Sequence, residues 1–199
     1  MDERTDGELL TAWVKGDQQA FTALVERHQT VLLRHARALL GPGGAAEDVV
    51  QEAFVRLARR PPTLAAESVG DAERETAQLR GWLHTVTRNA AMDTMRSDAR
   101  RTRRESEVAP AEATTGGIDG VEERDTREAV ERGLDRLPPA QREVLVLRLV
   151  GERSYREIAQ ITGRKTGTVG WLISEGLKAL SSELAHLCPA TAGGEGGAL

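Results

Sequence analysis

Apolar side chains recur along most of this chain at helical rather than strand spacing. Leu9, Leu10 and Trp13 follow Asp6, which can cap a short first helix that Gly16 ends, and Asp17 can cap a second, longer one. In that second helix Phe21, Leu24, Val25, Val31, Leu32 and Leu39 recur near the 3.6 period, with His28 and His35 on the same side, and Gly41-Pro42 stops it. Histidines on an apolar face read as buried groups satisfied by hydrogen bonds rather than as ligands or switches. A third helix from about Ala45 to Arg60 buries Ala46, Val49, Val50, Ala53, Phe54 and Leu57 and turns Asp48, Gln51, Glu52, Val55 and Arg59 outward. Residues 61–78 form an acidic stretch between helices, opened by Pro61-Pro62. A fourth helix follows from about Leu79 to Arg101, with Leu79, Trp82, Leu83, Val86 and Ala90 inward. Its other side carries the row Arg80, His84, Arg88, Met92, Arg96, Arg100, with Asn89 alongside.

The second half is patterned more sharply. A helix from about Thr126 to Leu137 is followed by Pro138-Pro139, which opens another bearing Val144, Leu145, Leu147, Leu149 and Val150, closed by Gly151. Ser154 with Glu157 makes a capping box, Ile158, Ala159 and Ile161 a short buried face, and Gly163 permits a left-handed turn. Thr166 can then cap a last helix carrying Val169, Leu172, Ile173, Leu180 and Leu184. Helix, short glycine turn, helix is the helix-turn-helix arrangement, though an ordinary helical hairpin shares its outline.

Composition narrows the class. Only six of 199 residues are aromatic, so the core falls to Leu, Val and Ala, which favours an all-α fold. A single cysteine, Cys188, and four scattered histidines provide neither a disulfide nor metal-ligand spacing, so no metal or cofactor is expected. No apolar run approaches a membrane span and the start has no signal region, which points to a cytoplasmic protein without membrane insertion. No nucleophile and base constellation or phosphate loop is present, so neither an enzyme nor a small-molecule substrate is expected.

The net charge of −4 is unevenly spread. Residues 1–101 hold 14 basic and 15 acidic side chains, 102–125 hold 3 and 7, and 126–199 hold 10 and 9. The middle segment has almost no large apolar side chain and reads as a flexible acidic linker. Residues 188–199 are Gly-rich and read as a disordered tail. Two small helical domains, 1–101 and 126–187, are left. Between Leu79 and Arg104 seven arginines face two aspartates, a local basic row that suits either a solvated helix face or phosphate and base contact. The outward acids of the third helix equally suit a solvated helix start.

The stretches ELLTAWVKGDQQAFTALVERH, AEDVVQEAFVRLA (46–58) and LRGWLHTVTRNAAMDTMR (79–96) resemble, in order and spacing, domain 2 of bacterial RNA polymerase sigma factors of the extracytoplasmic-function group. LDRLPPAQREVLVLRLVGERSYREIAQITGRKTGTV (134–169) resembles their domain 4. The resemblance implies a factor that binds core polymerase and directs promoter-specific initiation. It assigns Asp48, Gln51, Glu52 and Val55 to the clamp of the largest polymerase subunit. Residues 61–78 with Arg80, Arg88, Asn89, Arg96 and Arg100 go to the melted minus 10 element. Domain 4 is assigned to the minus 35 region and the polymerase flap, with Arg153, Tyr155, Arg156, Arg164, Lys165, Thr166, Thr168, Trp171 and Lys178 near DNA. An anti-sigma partner is common in that family; nothing in this sequence identifies one.

Three features depart from the pattern. The reading helix holds Gly170, Trp171, Leu172, Ser174, Glu175, Gly176 and Leu177 where basic and polar residues are usual, leaving Lys178 as its cation. Trp171 then either contacts thymine methyl groups or packs on a neighbouring helix. The 61–78 connection is longer and more acidic than usual, as a tolerated insertion can be. With so few cations the free chain is expected to bind DNA poorly, core polymerase supplying the missing surface. An autonomous helix-turn-helix regulator and a sigma-like decoy remain as alternatives.

Overall fold

A computed structural model describes residues 2–41, 45–105, 130 and 132–184. Its helices are α1 (Asp6–Val14), α2 (Gln18–Leu40), α3 (Ala46–Arg59), α4 (Ala72–Glu105), α5 (Pro139–Leu149), α6 (Tyr155–Thr162) and α7 (Thr166–Leu184). A 3-10 turn, Ala66–Ser68, precedes α4, and residues 132–136 are helical ahead of α5. Among the described residues there is no strand, and the all-α class expected from the apolar spacing holds.

Several ends form as the capping rules require. Asp17 accepts from the Gln19 and Ala20 amides, Ser154 and Glu157 close their reciprocal box, and Gly163 takes φ 68° after α6. Three ends differ from expectation. Thr5, not Asp6, caps α1, in a capping box with Glu8; Asp6 is instead fully buried, with Arg27 Nη1 at 2.7 Å and His28 Nε2 at 3.1 Å. Helix α4 starts at Ala72 rather than Leu79 and runs on to Glu105. Asp71 accepts from the Arg74 amide at 3.1 Å, and Glu73 and Glu75 sit in the first turn, where a carboxylate favours the helix dipole. Residues 72–78 contain no large apolar side chain, so periodicity could not reveal them. Most of the expected linker, and the whole tail from Cys188, lie outside the described residues.

One core joins α1 through α4, built from Leu9, Leu24, Leu32, Leu57, Leu79 and Leu83, each at most 2% exposed. Glu75 fastens α1 to α4: its Oε1 accepts from the Gly70 amide at 2.9 Å, and a Cβ on Gly7 would overlap its carboxylate. A second core of Val144, Leu145, Leu147, Ile158, Val169 and Ile173 unites α5, α6 and α7. The two units touch, α5 lying on α2 and α6 on α4.

Gly176 explains one of the odd residues of α7. A Cβ there would lie 2.9 Å from Leu145 Cδ1, so bare backbone lets α7 approach α5. Gly176→Val is therefore expected to lower stability by roughly 1–3 kcal/mol through overpacking. Gly81→Ala in α4, where an added Cβ meets nothing within 4 Å, is expected to raise it by about 0.5–1 kcal/mol. Urea unfolding midpoints with unchanged slopes check both.

Candidate nucleic-acid and polymerase interface

The amphipathic pattern of α3 positions its outer residues. With Val49, Val50, Ala53, Phe54 and Leu57 held inside, Asp48, Gln51 and Glu52 are exposed and Val55 is half-buried. Glu52 accepts from Arg56 at 2.8 Å and Glu47 from Arg37 at 2.7 Å, leaving a polar, mixed-charge face with Gln51 near its middle.

Toward its C-terminal end this face runs into a hollow of about 580 Å³ lined by Glu52, Val55, Arg56, Arg59, Arg60, Trp82 and Val86. Arg56 and Arg60 are contributors that sequence reasoning missed. The signal was available in RLARR at 56–60, where basic side chains follow the helix to its end. A half-buried indole beside several guanidinium groups has the makings of a stacking platform for an unpaired base with phosphate contacts around it.

The basic row of α4 is divided in two. Asn89, Arg96 and Arg100 are exposed, with Arg96 held to Asp93 at 2.9 Å. The earlier members face the second unit instead. Arg80 Nη1 lies 3.5 Å from Glu152 Oε2, and Arg88 Nε donates to Glu143 Oε1 at 2.7 Å. His84, expected on the open row, is only 2% exposed. The reason is that α4 is covered on both sides: α2 and α3 pack on one, and the turn between α5 and α6 on the other.

Beneath that turn His84 Nδ1 and His35 Nδ1 are 3.1 Å apart, so one imidazole donates and the other accepts. Burial drives His35 down to about 3, with the nearby Arg88 charge adding to the shift, and burial likewise pushes His84 well below the ordinary histidine range. Both are neutral in the folded protein at neutral pH. For Asp6 burial opposes ionisation, yet His28 and then Arg27 hold its carboxyl down at about 2.

The helix-turn-helix residues separate in the same way. Arg156, Lys165, Thr166 and Thr168 are exposed. Tyr155 is partly exposed beneath Arg148, whose guanidinium carbon sits 5.6 Å from the ring centroid. Trp171 is 60% exposed, so within the described chain it does not pack on a neighbouring helix. Lys178 is tied to Glu175 at 2.8 Å. Arg153, by contrast, is 4% exposed: it donates to the carbonyls of Gly151 and Ala77 and to Glu157, so it braces the turn rather than facing solvent. Arg164 is half-buried and donates to Glu143 Oε2 at 3.0 Å.

Because the unfolded chain's histidines titrate near 6.5 while His35 stays neutral until about 3, stability is full above pH 6.5 and falls as pH drops below it. The expected loss is about 2 kcal/mol for this residue at pH 5. The Asp6 contribution is present above its unfolded value of 3.8 and disappears as pH falls through about 2. Urea melts at pH 7.5 and 5.0 read the histidine effect, and His35→Gln should reduce this pH dependence even though it lowers stability overall.

Comparison with known proteins places the chain in a family. Residues 24–101 match the family model described as Sigma-70 region 2, and residues 127–180 match Sigma-70, region 4. The chain is 33% identical over 167 residues to the ECF RNA polymerase sigma factor SigM of Mycobacterium tuberculosis, covering 84% of this chain and 78% of that protein. It is 28% identical over 183 residues to the ECF RNA polymerase sigma factor SigW of Bacillus subtilis, covering 87% and 93%. Among solved structures it is similar to CnrH in complex with the cytosolic domain of CnrY, with TM-score 0.56, 26% identity and coverage of 91% and 97%. The fold is also shared with the sigma factor RpoE in complex with the anti-sigma factor NepR from Bartonella quintana, with TM-score 0.58, 24% identity and coverage of 81% and 96%.

Proposed function

Since this chain belongs to the extracytoplasmic-function group of the sigma-70 family, whose members are non-enzymatic factors of promoter-specific transcription initiation, we propose how its surfaces divide that work. The exposed face of α3 around Asp48, Gln51, Glu52 and Val55 binds core RNA polymerase at the clamp of its largest subunit. The observation that carries this reading is the two-sidedness of α3: six buried residues fix one face, and the other presents an exposed polar surface around Gln51.

The minus 10 strand is captured beside it. Arg80, Arg88, Asn89, Arg96 and Arg100 supply phosphate and base-edge contacts, and the hollow between Trp82 and the arginines at 56, 59 and 60 accepts an unpaired base. The 61–71 connection, with Val69 exposed, borders the start of α4 and shapes the same region. The second unit contacts the minus 35 region through Tyr155, Arg156, Arg164, Lys165, Thr166, Thr168 and Lys178. Trp171 meets thymine methyl groups there, supported by its exposure and by the scarcity of cations on α7. Polymerase completes the binding surface, because this acidic chain holds too few free cations to bind duplex DNA tightly alone. A second protein partner of the sigma factor is also expected, as CnrH is found with the cytosolic domain of CnrY.

The paired Lys178 and the lack of arginine on α7 favour one other reading, a chain that occupies polymerase without starting transcripts. In vitro transcription with bacterial core enzyme on fragments of the source genome separates the two: defined start sites appear if the chain initiates, whereas association without transcripts selects the decoy. In a pull-down, Gln51→Arg with Glu52→Arg should weaken core association about tenfold or more while leaving thermal unfolding unchanged. Trp171→Ala should reduce transcription from the selected promoters without reducing core association. Failure of the folded wild-type chain to associate with polymerase overturns the assignment of α3.

A further inference from the structure

The carboxylate of Glu143 on α5 is 2% exposed and divides itself between two arginines of different units. Its Oε1 accepts from Arg88 on α4 at 2.7 Å, and its Oε2 accepts from Arg164, in the turn between α6 and α7, at 3.0 Å. Both arginines stand on surfaces to which the proposed function assigns DNA. One buried acid therefore occupies a cation from the minus 10 surface and another from the minus 35 surface at once.

The surrounding contacts act in the same direction. Two turns up the same side of α4, Arg80 is drawn to Glu152, and Arg153 of the second unit donates to the Ala77 carbonyl at 3.4 Å. Between Arg80 and Arg88 lies buried His84, over which Gly151 sits so closely that a Cβ would come within 3.2 Å of its Nε2. The row 80, 84, 88 is thus covered by the second unit, while Asn89, Arg96 and Arg100 remain exposed. A phosphate cannot replace Glu143 at Arg88 without moving the second unit away, and a buried carboxylate parted from a cation is strongly disfavoured.

We propose that Glu143 latches the free chain in a closed state that withholds Arg88 from DNA until the two units part. The assignment rests on the DNA role proposed for α4. Closed and open chains are then two states of one equilibrium, and polymerase with promoter shifts it by binding the open one. The poor DNA affinity expected from net charge gains a second, structural cause: Arg80, Arg88 and Arg164 are satisfied internally.

The test uses the full-length chain without polymerase. Small-angle X-ray scattering reads its radius of gyration, and fluorescence anisotropy reads binding to a mixed-sequence single-stranded oligonucleotide. Glu143→Gln keeps the side-chain volume and removes the charge; it should enlarge the radius by several ångströms and raise oligonucleotide affinity about tenfold, the loss of one charge-assisted bond. Arg88→Gln should enlarge the radius equally and gain no affinity. Glu152→Lys, at a side chain 76% exposed, should give a smaller change in the sense of Glu143→Gln and serves if that variant does not fold. Unchanged radii in the folded variants overturn the latch, and so does expansion of Glu143→Gln without a gain in affinity. Transcription with core enzyme reads the initiation function separately. A wild-type chain that starts transcripts while its variants stay compact loses only the latch, and one whose variants open and bind but which starts none loses only the initiation reading.

Discussion

Helix α4 has to satisfy two neighbours. Leu79, Leu83, Val86 and Ala90 are buried toward the first core, while His84 and Arg88, on the opposite side, meet the turn and helix of the second unit. A helix covered on one side needs only a stripe of apolar residues. One covered on both must also find partners for whatever polar groups its second side carries. Here His84 is met by His35 of α2 from within the first unit and by Gly151 from the second, and Arg88 by Glu143; the last two contacts tie the second unit to α4.

The charge distribution gains meaning from that arrangement. Counting side chains gives a nearly balanced protein with a basic row on one helix, yet the row is not uniformly available. Its first half is held in ion pairs with acids from a segment roughly sixty residues further along the chain, and its second half is exposed to solvent. The neutral histidine pair beneath the contact has a related origin. An imidazolium so close to Arg88 and Arg153, out of reach of water, would be strongly disfavoured, so the region is built around uncharged rings.

Much of the fold was legible in the sequence because local rules suffice for it. The faces of α2 and α3, the Asp17 cap, the Ser154 and Glu157 box and the left-handed Gly163 each depend on residues within a few positions of one another. The start of α4 was hidden, since the rule applied there was apolar periodicity and residues 72–78 are held by Asp71 and by charge at the helix start. Asp6 was misread as a cap because its partner, Arg27, lies on another helix. On the candidate site, the outward face of α3 and the exposure of Asn89 and Arg96 follow from helical geometry alone, whereas the exposure of Trp171, which the sequence left open, is given by the packing of α7. The burial of His84 and Arg153 does not: it depends on contacts between distant segments, which no spacing along the chain records.

The bare backbone contact at Gly176 limits how this protein could diverge. Because α7 rests on Leu145 through a position that tolerates no bulk, its seat fixes which side chains point away from the body: Thr168, Trp171 and Lys178 among them. New binding preferences would have to arise by exchange at those outward positions, one or two turns apart, leaving the buttress untouched. The glycine that weakens α7 as an isolated helix thus keeps its outward vocabulary short and its orientation constant.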